Sequence, residues 1–142
     1  MNNVKVWKQG EYFAQQYLIK QGYNILDLNK KIANIEADII AICPKLVLLK
    51  KLKKEYTQGL FTKESYIAQK NNIQDVLVIV EVKARTSNKY GNPAESVTQQ
   101  KQMRLRKFAQ AISVNDKFKN MPIRFDVISI LADKIEHIEN AF

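Results

Sequence analysis

Four side chains stand where a plain core would hold apolar residues. Glu11 lies on the apolar stripe of a helical stretch, Asp38 and Glu81 lie in two extended stretches, and Lys83 follows Glu81 by two positions. Lys101, on the apolar side of a second helical stretch, is a candidate fifth. A buried, unpaired charge costs several kcal/mol, so such groups are expected to meet one another or a cation.

Hydrolysis of a phosphodiester gives a reason to gather them. Mg2+, or Mn2+ in its place, prefers oxygen ligands and is commonly held by one or two carboxylates plus water and phosphate. Asp38 and Glu81 suit that role, with Glu11 acting directly or through water. In an extended chain Glu81 and Lys83 share one side, so the ammonium falls where it could orient the attacking water or stabilise the charge developing on the phosphoryl group. A plainer reading stays open for each of them. Glu81 with Lys83 makes a salt bridge at a solvated strand end, Glu11 pairs locally with Lys8, and Lys101 reaches out from a helix edge.

The elements that must position these groups are legible. Residues 4–21 carry Ala14, Tyr17 and Leu18 at helical spacing, and Gly22 follows where a left-handed cap is wanted. "YNILDLN" reads as a first strand. In "IEADIIAI" Glu36 and Asp38 are expected on one face and Ile35, Ala37 and Ile39 on the other, with Glu36 a neighbour that shapes the site. "VLVIVEVKAR", residues 76–85, is a buried strand that turns charged at Glu81. "TSNKYGNPAE" is loop chemistry, in which Asn92, Pro93 and Glu95 offer an N-cap, a first-turn proline and a capping-box acid. The helix that follows carries Val97, Lys101, Leu105, Phe108, Ala109 and Ile112 along one stripe and Arg104, Arg106 and Lys107 off it. "PIRFDVISIL" and "KIEHIENAF" close the chain as two strands, with Arg124 and Asp126 pairing or ending the sheet edge and His137 structural. Between Pro44 and Asp75 lies a segment with seven lysines against three acids, expected to stand out as an extra hairpin or helical arm.

A chain of 142 residues, 46% hydrophobic, is enough for one domain with a real core. Net charge of +9 and a pI of about 9.6 favour a phosphate polymer or an anionic surface as partner. Cys43 alone cannot make an internal disulfide, and no apolar run approaches a membrane span. A reduced, cytoplasmic setting is the expectation, with nucleic acid and not a membrane as the partner.

An acidic residue followed by E-x-K on a neighbouring strand is the PD-(D/E)xK nuclease signature. More of the chain resembles the YraN-like (UPF0102) family of bacterial proteins, in the segments "GEYFAQQYLIKQGYNIL", "IEADIIA", "VEVKART", "YGNPAESVTQQK", "RFDVISI" and "IEHIENAF", met in the family's order. The resemblance implies a restriction-endonuclease-like fold, an α/β domain with a central mixed sheet flanked by helices, related to Holliday-junction resolvases. It carries the presumptive active-site set onto Glu11, Asp38, Glu81 and Lys83. Two departures stand out: Ile35 and Ala37 replace the family's glycine and isoleucine beside Asp38, and a lysine-rich insertion at about 44–75 replaces a short hairpin.

Residues 1–142 are therefore expected to form one restriction-endonuclease-like domain, a metal-dependent nuclease acting on DNA, branched or single-stranded. Asp38 and Glu81 hold Mg2+ or Mn2+, and Lys101, Arg104, Arg106 and Lys107 track phosphates. The rival readings are a nucleic-acid-binding module without chemistry and an adaptor for an acidic protein partner. Whether two copies pair to cut two strands is left open.

Overall fold

The computed structural model describes residues 3–85 and 97–142, with the side chains of residues 3–8 outside that description. The elements are α1 (Asn3–Lys20), β1 (Asn24–Ile32), β2 (Ile35–Cys43), α2 (Lys45–Thr57), α3 (Lys63–Asn72), β3 (Val76–Arg85), α4 (Gln99–Ile112), β4 (Ile123–Leu131) and β5 (Lys134–Ile138). The five strands form one mixed sheet in sequence order. β3 and β4 run parallel and every other neighbouring pair is antiparallel. A parallel pair needs a crossover, and α4 lies in the connection that makes it. This is a single α/β domain with helices on both faces of the sheet, the architecture expected of a restriction-endonuclease-like fold.

Ala14 and Leu18 of α1 cover one face, packing on Ile39, Ala41 and Cys43 of β2 and on Val78, Val80 and Val82 of β3. Leu105, Phe108, Ala109 and Ile112 of α4 cover the other, against Ile40, Leu77 and Ile79. Burial on both faces is why "VLVIV" reads as a continuous apolar run instead of alternating.

The helix ends follow their local chemistry. Gly22, at φ 93°, closes α1: its N–H donates to Ile19 O and that of Tyr23 to Leu18 O, both at 3.0 Å. α4 starts at Gln99, where the Thr98 hydroxyl accepts the Lys101 N–H at 3.2 Å. The cap anticipated at Asn92, Pro93 and Glu95 lies outside the described residues.

The lysine-rich segment expected as an insertion is a pair of helices, α2 and α3. Cys43 of β2 pairs with Val76 of β3, and Lys45 N–H donates to Asp75 Oδ1 at 2.7 Å, so the two ends of the arm meet at a narrow neck. α2 is docked: Val47 and Leu48 pack on the α1-side core, Leu52 is buried, and Lys51 reaches Glu139 at 2.6 Å. α3 buries none of its residues and leans on α2, with Tyr66 stacked on Tyr56 at 4.5 Å.

Candidate functional site

The ladder between β2 and β3 runs from Cys43↔Val76 to Ile39↔Val80 and stops there. The next residue outward on β2 is Asp38, and the next on β3 is Glu81. Where the strands separate, the Val82 N–H would lose its partner, and the Asp38 carboxylate takes it at 2.9 Å. On the other side of Asp38, Asn29 of β1 adopts φ 52° and has no partner in the β1–β2 register, which resumes at Lys30↔Ala37. The expected alternation along β2 is broken here as well. Ile39 packs beneath α1, whereas Ala37, with Ile35 against it, belongs to the α4-side cluster, so the three do not share a face. The parting of two strands thus places a buried carboxylate within reach of the next strand.

Asp38 and Glu81 are buried, at 4% and 3% exposure. Burial first, and then repulsion from Glu81 with a smaller push from Glu11, raises the Asp38 carboxyl from 3.8 to about 7, against the lowering by the Val82 N–H and Lys101. Glu81 Oε1 meets two ammonium groups, Lys83 at 3.6 Å from its own strand and Lys101 in closer contact from α4. Glu81 Oε2 is buried and has no hydrogen-bond partner among the described residues.

Glu11 comes to the same end of the sheet because α1 crosses β3 very closely. A Cβ on Gly10 would sit 2.9 Å from Ala84 Cβ, so only glycine permits this approach. The neighbouring Glu11 then accepts from Asn29 Nδ2 at 3.2 Å. Its local pairing with Lys8 falls on a side chain outside those described.

A cleft of about 390 Å³ between the β1–β2 turn and α4 meets these groups through Lys101, which lines it together with Asn34, Glu36, Thr98 and Arg104, among others. Lys101 and Arg104, three residues apart on α4, share this side of the helix. Arg106 and Lys107 are exposed and are not part of the lining. Arg106 instead lies over the rings of Phe125 and Phe142, 6.0 and 5.5 Å from their centroids.

Among the described residues no three His, Cys, Asp or Glu side chains converge as a metal cluster. A cation here would rest on the two carboxylates and on water and substrate oxygens, a sparse protein set that suits Mg2+. The residues fit such an ion. The Asp38 and Glu81 charges repel across a short buried gap, and the bare Glu81 Oε2 is an acceptor awaiting a partner.

A second polar cluster had only the pairing of Arg124 with Asp126 as its sequence forecast. Asp126 is wholly buried and accepts from Arg124 Nε at 2.8 Å, Arg124 Nη2 at 2.7 Å and Asn140 N at 3.0 Å, with His137 Nε2 at 2.7 Å. His137 Nδ1 meets Tyr17 Oη at 3.2 Å, and Arg124 Nη2 donates to Tyr23 Oη at 2.6 Å. Burial would raise the Asp126 carboxyl, but the His137 and Arg124 hydrogen bonds and the guanidinium charge together bring it below its ordinary value. β4 lies inside the sheet, so the pair does not end an edge; it ties β4 and β5 to α1. The only signal in the sequence was a pair of charges, Arg124 and Asp126, at alternate positions of a strand otherwise mostly apolar.

A model of the uncharacterised protein family UPF0102 matches residues 10–130 of the chain. Similar proteins include a UPF0102 protein of Thermodesulfovibrio yellowstonii, 37% identical over 142 residues and covering 100% of this chain and 99% of that one. A UPF0102 protein of Dictyoglomus thermophilum is 34% identical over 148 residues with both chains covered in full. One from Clostridioides difficile is 32% identical over 144 residues, again covering both in full.

Proposed function

We propose that this chain, which belongs to the uncharacterised protein family UPF0102, is a metal-dependent phosphodiesterase that cuts DNA, branched or single-stranded, in the cytoplasm. The observation that carries the reading is the pair Asp38 and Glu81: two buried carboxylates held side by side against their mutual repulsion, one of them with a bare oxygen. Among the described residues both cations at the pair, Lys83 and Lys101, meet the same oxygen of Glu81, which leaves its second oxygen and the Asp38 carboxylate open to a metal ion.

Asp38 and Glu81 would hold Mg2+ or Mn2+, with Glu11 at the margin. Such an ion supplies polarisation of the phosphoryl oxygen and a water acidic enough to attack near neutral pH. Lys83, anchored on the same strand as Glu81, faces the developing negative charge of the phosphoryl group. Arg104 in the cleft, with Arg106 and Lys107 farther along α4 and the lysines of α2, offers cations to the flanking phosphates.

The test pairs binding with cleavage on labelled four-way junction, flap, duplex and single-stranded DNA. Affinity is measured in EDTA across a salt series, and cleavage in Mg2+ or Mn2+. Asp38→Ala and Glu81→Ala are expected to abolish cleavage while leaving affinity in EDTA near that of the wild type, and Lys83→Ala to lose cleavage with a small loss of affinity. Binding without cleavage under either metal would replace the enzyme with a binding module. Neither binding nor cleavage would transfer the basic surface to an acidic protein partner.

A further inference from the structure

We infer that Lys101 is the resident counter-cation of the Asp38–Glu81 pair, that a divalent ion displaces it, and that the freed ammonium then takes a substrate phosphate, so metal and nucleic acid bind cooperatively. This rests on the metal-dependent reading above.

Charge balance is the first argument. Two buried carboxylates, Asp38 and Glu81, act on each other here, and among the described residues two ammonium groups answer them, both on the same oxygen of Glu81. Adding a divalent ion beside these two carboxylates gives three positive charges with Lys83 alone against two negative ones, so Lys101 becomes surplus. The second argument is which lysine can leave. Lys83 issues from β3 itself and its side chain is 28% exposed. Lys101 reaches in from another element and is 39% exposed, with the cleft open beside it. Its backbone is fixed by the Thr98 cap, so release requires only rotation of the flexible stem. The third argument is where it goes. Lys101 already lines the cleft with Arg104, and a short swing moves its charge from the carboxylates to whatever phosphate lies there.

Two sites that share one lysine in this way are coupled, and the coupling is reciprocal. The probes are Ca2+, an oxygen-seeking ion of the same charge, and a fluorescent four-way junction. Calcium affinity is measured by calorimetry, and junction affinity by anisotropy with Ca2+ and with EDTA. Lys101→Met is expected to bind Ca2+ about tenfold more tightly than wild type, and Ca2+ to tighten junction binding about tenfold in wild type but hardly at all in the variant. Lys101→Arg, which keeps the cation, should bind Ca2+ as weakly as wild type. Arg104→Met removes a charge from the same cleft without touching Glu81. If it tightens Ca2+ binding as much as Lys101→Met, the effect is one of general field and the inference is overturned. Equal Ca2+ affinity in wild type and Lys101→Met would overturn it while leaving the metal site standing. Absence of Ca2+ binding in both would remove the metal reading and the inference together, whereas binding by the variant alone would support it.

Discussion

Asp38→Asn should make the metal-free protein more stable, by an amount that grows with pH. The folded-state carboxyl titrates at about 7 against 3.8 without the fold's influence. A raised folded pKa means that the native state holds its proton longer, so stability falls as pH rises between the two values. Relative to the unfolded chain, Asp38 lowers stability by about 2 kcal/mol at pH 5, where the native carboxyl still holds its proton, and by about 4 kcal/mol at pH 8, where it is ionised. An asparagine has the same shape, carries no charge, and keeps an oxygen for the Val82 N–H. The stability gained by the variant should therefore widen by about 2–3 kcal/mol from pH 5 to pH 8, which is about 7–10 °C in Tm for a domain of this size. The assay is thermal melting of both proteins in EDTA at the two pH values. Manganese should then raise the Tm of the wild type and not of the variant, because ligand binding stabilises only the state that holds the site. An offset that is the same at both pH values, or a variant less stable at pH 8, would refute the claim that burial and the neighbouring Glu81 hold the Asp38 carboxyl above its ordinary value.

Asp126 carries the opposite sign. Its folded pKa lies below 3.8 and that of Glu139 below 4.5, so the stability they contribute is complete above about pH 5 and lost as acid titrates them; together with Asp38 this puts maximum stability near pH 5, which denaturant midpoints across pH 3–9 will check. Asp126→Asn leaves the largely buried Arg124 guanidinium without its carboxylate and should lower stability by about 3–5 kcal/mol, read by urea unfolding. Gly10→Val should drive α1 off β3 at Ala84, lowering Tm and cleavage together, while Tyr12→Ala at the exposed neighbouring turn lowers neither. Replacing residues 45–74 with a short turn should leave a folded domain, since Cys43 and Val76 are already paired. It exposes the surface under Val47, Leu48 and Leu52 and removes Lys51 from Glu139, so stability should fall by about 3–5 kcal/mol. Removing α3 alone should do worse, because α2 ends about 20 Å from the neck and nothing then returns the chain.

The sequence by itself determined the order and type of most elements, because each carried its own local signal. The 3.6-residue stripe of α4, the unbroken apolar run of β3 and the glycine after α1 are consequences of backbone geometry and burial that act within a few residues. It also marked the unusual charges, since Glu81 in a buried strand and Asp38 beside an apolar run stand out whatever lies around them. Only the tertiary structure decided what those charges do to one another. That two strands part after Ile39↔Val80, that Gly10 lets Glu11 close on the same end of the sheet, and that Lys101 crosses from α4 to Glu81 are contacts between residues 20 to 74 positions apart in the chain. No local pattern encodes them. The same reason separates Arg104, which lines the cleft, from Arg106, which lies over two rings brought from β4 and the chain end. It also explains Asp126, read in sequence as pairing with Arg124 or ending the sheet edge, whose burial follows from β4 lying inside the sheet. Local sequence sets which groups are available; long-range packing sets which of them share a solvent-free gap, and electrostatic energy is large only there.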